Sequence, residues 1–290
     1  MNRLLHPCKF LVALVFLLSL LSCRQAGDST GAAANLSEKT APIPDVQGAI
    51  QSLVTQDGCR DFTAEMRLTG VDAQGKRDQV EFRLQRKLRE DGALTFLQVI
   101  SPREESDKAM LAIEKRGEPT QAFSYLAGLK KLARLSSSRQ LSFRGSKVTV
   151  QELLGMELSQ YHNDTGERVT EDGQSLIKVV FHEKRDLGLA FPQIVAYFTE
   201  PALDPARFDL FNSLGELQKK ISLQEVKAVQ AHRTLTRLSI EDLPQKLTMQ
   251  LEIRKIEYDR GLKDETFTED RLKQVIAESS RRLDAGKGRE

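Results

Sequence analysis

DFTAEMRLTGVDAQGKRDQVEFRLQRKL, Asp61 to Leu88, sets a hydrophobic period of two. Phe62, Ala64, Met66 and Leu68 alternate with polar residues, Asp72 to Gly75 supply a turn, and Val80, Phe82 and Leu84 resume the alternation, with Leu88 further along. Successive strand side chains point to opposite faces, so this pattern describes a long β-hairpin with one apolar face and one wet face.

The same period continues downstream. Strands are predicted over Leu94–Ile100, Met110–Ile113, Phe123–Leu126, Glu157–His162, Leu176–His182, Gln193–Phe198, Phe208–Phe211, Ile221–Val226, Thr234–Ile240 and Leu247–Ile256, with turn signals such as Asn163-Asp164-Thr165-Gly166 between them. Strand follows strand across short gaps, which favours an antiparallel meander, because parallel neighbours need crossovers of a dozen or more residues. The period becomes helical at two places. Upstream, Asp45 is an N-cap candidate before Val46, Ile50, Leu53 and Val54, a stripe that Gly58 stops. Downstream, Thr268-Glu269-Asp270-Arg271 is a capping-box-like start to a helix carrying Leu272, Val275 and Ile276. The fold class is therefore mainly β with few helices. Such a sheet must close into a barrel, split into a sandwich, or curve and have its hollow covered, and the pattern leaves all three open.

The N-terminal residues speak of compartment. Arg3 and Lys9 precede the apolar run Phe10–Leu21, which has the length of an export signal and is short for a permanent membrane span. The run ends in Leu20-Leu21-Ser22-Cys23, an order that resembles the lipobox of bacterial lipoproteins, in which the cysteine is acylated and becomes the new N-terminus. A non-lipidated signal ending near Ala26 is the plainer alternative. The expected organisation is a signal peptide over 1–22, lipidated Cys23 with a small, polar tether to 43, a folded domain over 44–279 and a polar tail over 280–290. Arg24, not Asp, follows the cysteine, which in well-studied envelopes points to the periplasmic face of the outer membrane.

Loss of Arg3 and Lys9 with the signal leaves 41 of the 43 basic residues against 41 acidic ones, and this neutrality argues against a nucleic-acid partner. Cys8 leaves with the signal and Cys23 is acylated, so Cys59 has no partner for an intramolecular disulfide and the domain must be held by packing. No cofactor signature is present.

One long stretch carries a resemblance. AFSYLAGLKKLARLSSSRQLSFRGSKVTVQEL, Ala122 to Leu153, resembles the middle of the bacterial outer-membrane lipoprotein-sorting family related to the periplasmic carrier LolA and its anchored receptor LolB, within an RseB-related lipoprotein carrier superfamily. Tyr125-Leu126, the basic residues Lys130, Lys131 and Arg134, the turn residues Phe143, Gly145 and Ser146, and the pair Glu152-Leu153 match its pattern. Phe191-Pro192 and the closing stretch Ile253–Leu272 match too, so the resemblance spans most of residues 45–275. Ala127, Arg144, Lys147, Val148 and Val150 depart from it.

The resemblance implies a curved, incompletely closed antiparallel half-barrel with a helical lid on its concave face and a hydrophobic hollow for the acyl chains of a lipoprotein or lipid. It places Phe62, Met66, Phe82, Leu84 and Phe96 in that hollow, and Phe143–Leu153 in a structural turn and short lid helix. Lys130, Lys131 and Arg134 become candidates for contact with lipid headgroups or a partner, with a solvated strand edge as the plainer reading. The function implied is a non-catalytic, anchored binding protein, and the alternative is an envelope sensor or an adaptor for a lipid-exporting transporter or carrier protein.

Other candidates carry less. His162 and His182 lack a third metal ligand at useful spacing. Ser136, Ser137 and Ser138 lack a nucleophile elbow and an orienting Asp–His arrangement. Cys59 reads as a lone, partly buried thiol.

Overall fold

The structure is a computed structural model that describes residues 59–115, 120–126, 131–136, 140–143, 146–149, 160–184, 188–230 and 232–287. The expected helix at 44–58, Cys23, Lys130, Ser137, Ser138, Gly145 and the Glu152-Leu153 pair lie outside them.

The chain runs through β1 (Asp61–Val71), β2 (Arg77–Arg89), β3 (Gly92–Ser101), β4 (Ala109–Lys115), β5 (Gln121–Leu126) and β6 (Lys131–Leu135) as a meander. A separate two-stranded hairpin follows, β7 (Gln140–Phe143) and β8 (Ser146–Thr149). The second meander comprises β9 (Tyr161–Asn163), β10 (Glu167–Glu171), β11 (Gln174–Glu183), β12 (Gln193–Thr199), β13 (Pro205–Phe211), β14 (Leu217–Val229), β15 (His232–Asp242) and β16 (Leu247–Tyr258). A 3-10 turn at Asp264–Phe267 leads into the helix α1 (Glu269–Lys287).

β1 pairs with β16 and joins the two meanders into one 14-stranded antiparallel sheet of order β10-β11-β12-β13-β14-β15-β16-β1-β2-β3-β4-β5-β6, with β9 on β11. β6 and β10 do not pair, so the sheet is an open half-barrel and not a closed one. Register shifts at Glu65/Met66, Glu81/Phe82, Tyr197/Phe198, Leu210/Phe211 and Leu223–Val226 add bends. Among the described residues no helix is long and apolar enough to cross a membrane.

The alternation read from the sequence decides the faces. Phe62, Ala64, Met66 and Leu68 of β1 share one buried cluster with Val80, Phe82 and Leu84 of β2, and with Leu97 and Val99 of β3. The cluster continues in both directions, to Ala122 of β5 and to Ile177, Val179 and Phe181 of β11. This is the inner face. On the opposite face, Leu94, Phe96, Ala109 and Leu111 meet Phe267, Leu272, Val275 and Ile276 of the C-terminal segment. The described helix therefore covers the outer face of β3–β5, not the concave one. Ser146–Thr149, expected to lead into a lid helix, is a strand paired with Gln140–Phe143.

Candidate functional site

The inner face holds four of the five residues that the resemblance places in a hollow. Phe62, Met66, Phe82 and Leu84 come together there, Met66 directly opposite Phe82 and Ala64 opposite Leu84 in the β1–β2 register. All four are almost wholly enclosed, and the cluster reaches Phe181, Ile194, Phe198, Phe208 and Leu238 across the second meander. Phe96 does not join them. Its neighbour Leu97 faces inward, so Phe96 points outward into the cluster beneath α1.

Two buried ion pairs interrupt this apolar surface near opposite ends of the strands. At one end Arg86, at the inner-face position two beyond Leu84, donates from Nη1 to Thr95 Oγ1 at 2.7 Å and to Glu114 Oε1 at 2.8 Å, and from Nη2 to Glu114 Oε2 at 3.1 Å. The side chain of Arg86 is 2% exposed, and its Nε–H has no partner among the described residues. Removal of such a charge from water requires a counter-charge in good geometry, which the bidentate contact provides. At the other end Lys219 Nζ lies 3.1 Å from Asp242 Oδ2, and Asp242 also accepts from the backbone N–H of Gln245 at 3.0 Å. Sequence reading missed both pairs. The signal for Arg86 was available: it occupies the apolar phase of the β2 alternation.

Beside Arg86, Cys59 packs against the inner cluster. Burial, reinforced by the Asp259 carboxylate, pushes its thiol up to about 11 against the opposing influence of Arg86, so it is protonated at neutral pH. Tyr258 is pushed up to about 12, chiefly by burial, and its hydroxyl lies 2.8 Å from Thr234 Oγ1. The buried Asp61 carboxylate accepts the backbone N–H groups of Arg260, Gly261 and Leu262 at 2.9, 3.0 and 3.1 Å, which fixes the crossing from β16 toward α1. These groups hold the end of the sheet together.

His162 and His182 face each other across β9 and β11 with rings 5.4 Å apart, and His182 Nε2 is 3.4 Å from Asp164 Oδ2. Among the described residues no group of three or more His, Cys, Asp or Glu side chains is placed to hold a metal ion. Lys131 and Arg134 both stand exposed on β6, three residues apart and so on opposite faces of the strand. Ser136 is exposed beyond the end of β6.

This open antiparallel sheet with one apolar face is similar in fold to several solved structures. The putative outer membrane lipoprotein-sorting protein domain from Vibrio parahaemolyticus superposes with a TM-score of 0.66 at 20% identity, covering 75% of this chain and 93% of that one. A DUF1329 family protein from Desulfovibrio piger gives 0.67 at 18% identity, over 74% and 92% of the two chains. A LolA superfamily protein from Nitrosomonas europaea gives 0.60 at 16%, over 73% and 91%. The chain belongs to the family whose model, described as "-like: Uncharacterized protein", matches residues 91–274. No curated protein matches the sequence.

Proposed function

We propose that the protein is a lipid-anchored envelope protein that takes the acyl chains of a lipoprotein or lipid onto the inner face of its half-barrel and passes them on, without chemistry. One observation carries the reading: a single buried apolar cluster extends from β5 through β1 to β11, between the Arg86–Glu114 and Lys219–Asp242 pairs near the strand ends, on a sheet whose edges do not meet. A close-packed small domain needs a core, but a core built along one face of an open sheet can part to admit an apolar guest. Its fold likeness to a lipoprotein-sorting domain points to the same class of guest. Cys23 would carry the anchor and residues 24–43 the tether, placing the domain at the periplasmic face of the outer membrane. Phe62, Met66, Phe82 and Leu84 would touch the acyl chains.

The test uses the chain with Cys23→Ala, exported and purified without detergent. Organic extraction and mass spectrometry should find copurified lipid, and the stripped protein should take up a fluorescent fatty acid saturably and release it to unlabelled palmitate. Folded protein with neither lipid nor saturable uptake would refute the reading.

A further inference from the structure

Exposed large apolar side chains are few among the described residues, and three of the four gather at one rim. Val71, Leu214 and Leu243 are 39%, 79% and 42% exposed. They sit at the β1–β2, β13–β14 and β15–β16 turns. The register places these turns at the same end of the sheet: Val71 pairs with both Arg77 and Thr248, Asp242 with both Leu247 and Lys219, and Phe211 with Leu217. Neighbouring strands are about 4.8 Å apart, so the three tips follow one another along the rim at roughly 10 Å intervals.

Each tip is held in shape by a short polar side chain. Asp72 Oδ1 accepts the backbone N–H groups of Gln74 and Lys76 at 3.0 and 2.8 Å. Asn212 Oδ1 accepts those of Leu214 and Glu216, both at 2.9 Å. Asp242 Oδ1 accepts that of Gln245 at 3.0 Å. These bonds fix the backbone of the turns, from which Leu214 and Leu243 project into water.

We infer that this rim docks on a phospholipid bilayer surface, with Leu214 and Leu243 entering the interfacial region and Val71 resting against it. Three features favour a bilayer over a protein partner. The apolar side chains are separated by exposed polar and glycine positions, Ser213, Gly215 and Lys246, so they form points and not the contiguous patch a protein interface buries. Lys76, Arg77 and Lys246 are exposed at the same tips, but Lys76 pairs with Asp78 at 2.9 Å and Glu216 and Glu241 offset the others, so the rim is near neutral and apolar insertion, not charge, carries the docking. The chain outside the described residues runs back to Cys23, whose acylation would keep the domain within tether reach of a membrane. This inference shares the anchor with the proposed function but does not depend on acyl chains entering the inner face.

The absence of tryptophan from the whole chain makes the test direct. The full chain carrying Cys23→Ala and Leu214→Trp has one indole. Added vesicles of phosphatidylethanolamine and phosphatidylglycerol should shift its emission to the blue, brominated lipid should quench it, and high salt should leave most of the effect. In the Cys23→Ala background, Leu214→Ser with Leu243→Ser should lower vesicle partitioning by about tenfold or more, since two apolar anchors are lost. Its uptake of a fluorescent fatty acid should be unchanged. An indole that vesicles neither shift nor quench, or a serine variant that partitions like its parent, overturns the proposal. So does a parent dimer that the serine variant dissociates, which would make the rim a protein interface. Loss of fatty-acid uptake in the parent with vesicle binding intact would refute the inner-face reading and leave the rim standing.

Discussion

Arg86 shows what one residue in the wrong phase can mean. The alternation that buries Val80, Phe82 and Leu84 also buries a guanidinium, and Thr95 and Glu114 from two further strands make that burial tolerable. Glu114→Gln should lower stability by about 3 kcal/mol, because removal of one partner leaves the other charge buried and unpaired. In urea titrations the Arg86→Met/Glu114→Met double variant should lose less than the sum of the single losses, and additivity would show that the pair is not coupled. Gly92 illustrates a steric limit at the same end of the sheet: a Cβ there would stand 2.0 Å from the Glu114 carbonyl oxygen, so Gly92→Ala should shift β4 and cost roughly 1–3 kcal/mol by thermal melting. Cys59 gives a pH test. With its thiol at about 11 instead of 9.0, the thiolate fraction near pH 8 is about 100-fold smaller than in the unfolded chain. In a Cys8→Ser/Cys23→Ala chain, iodoacetamide should alkylate Cys59 correspondingly more slowly in buffer than in urea. Because the fold favours the neutral thiol, its contribution to stability is intact below pH 9 and is lost as the pH rises through about 11. Equal alkylation rates in the two conditions would contradict the burial assigned to it.

At the scale of elements, the hairpin β1–β2 was legible because its two faces meet different solvents, so every second residue reports its direction. β3, β4, β5, β11, β12, β13, β14, β15 and β16 were legible as short apolar segments between turn signals, although β3, β4 and β12 are buried on both faces and have no wet side. β6, read as a basic cluster, was not: Lys131-Leu132-Ala133-Arg134-Leu135 lies at the sheet edge, where one side lacks a neighbouring strand and charge is tolerated on both faces. β10, Glu167-Arg168-Val169-Thr170-Glu171, escaped notice at the other edge for the same reason. The inner or outer sense of a single apolar residue was also illegible where a strand is buried on both faces. Leu94, Phe96 and Leu111 read like Leu97 and Met110 in sequence, yet they belong to the cluster that α1 covers. The helix itself was legible from its cap and stripe. Thr268 Oγ1 accepts the backbone N–H of Arg271 at 3.2 Å, and Thr268→Ala should cost ~1 kcal/mol. Leu272→Asp should be more severe, lifting α1 from β4 and opening trypsin sites at Arg271 and Lys273 while the sheet's circular dichroism persists. Resistance of this variant to trypsin would mean that α1 is held by contacts other than its apolar stripe.

For the whole molecule, the family resemblance implies a hydrophobic hollow with Phe82 on its wall. Instead Phe82 is 0% exposed, opposite Met66 and Val99, within a cluster that spans the sheet. Phe82→Ala should therefore cost ~3–5 kcal/mol, as for a packed phenylalanine. Enclosure of this kind places the resident side chains and an acyl guest in competition for one volume. If the guest binds where Phe82 lies, removal of the ring destabilises the ligand-free protein and at the same time lowers the cost of parting the core. Phe82→Ala should then bind a fluorescent fatty acid more tightly, whereas Phe82→Asp should abolish uptake by placing a carboxylate among hydrocarbon. Leu111 supplies the control, since it is equally enclosed but faces α1. Leu111→Ala should lose comparable stability with no change in probe affinity. Saturating probe should also stabilise the parent, by about 2.7 kcal/mol at one hundred times its dissociation constant. Both affinities are to be measured at a temperature where each variant is folded by circular dichroism. If Phe82→Ala and Leu111→Ala change probe affinity alike, the inner face is an ordinary core and not the ligand site.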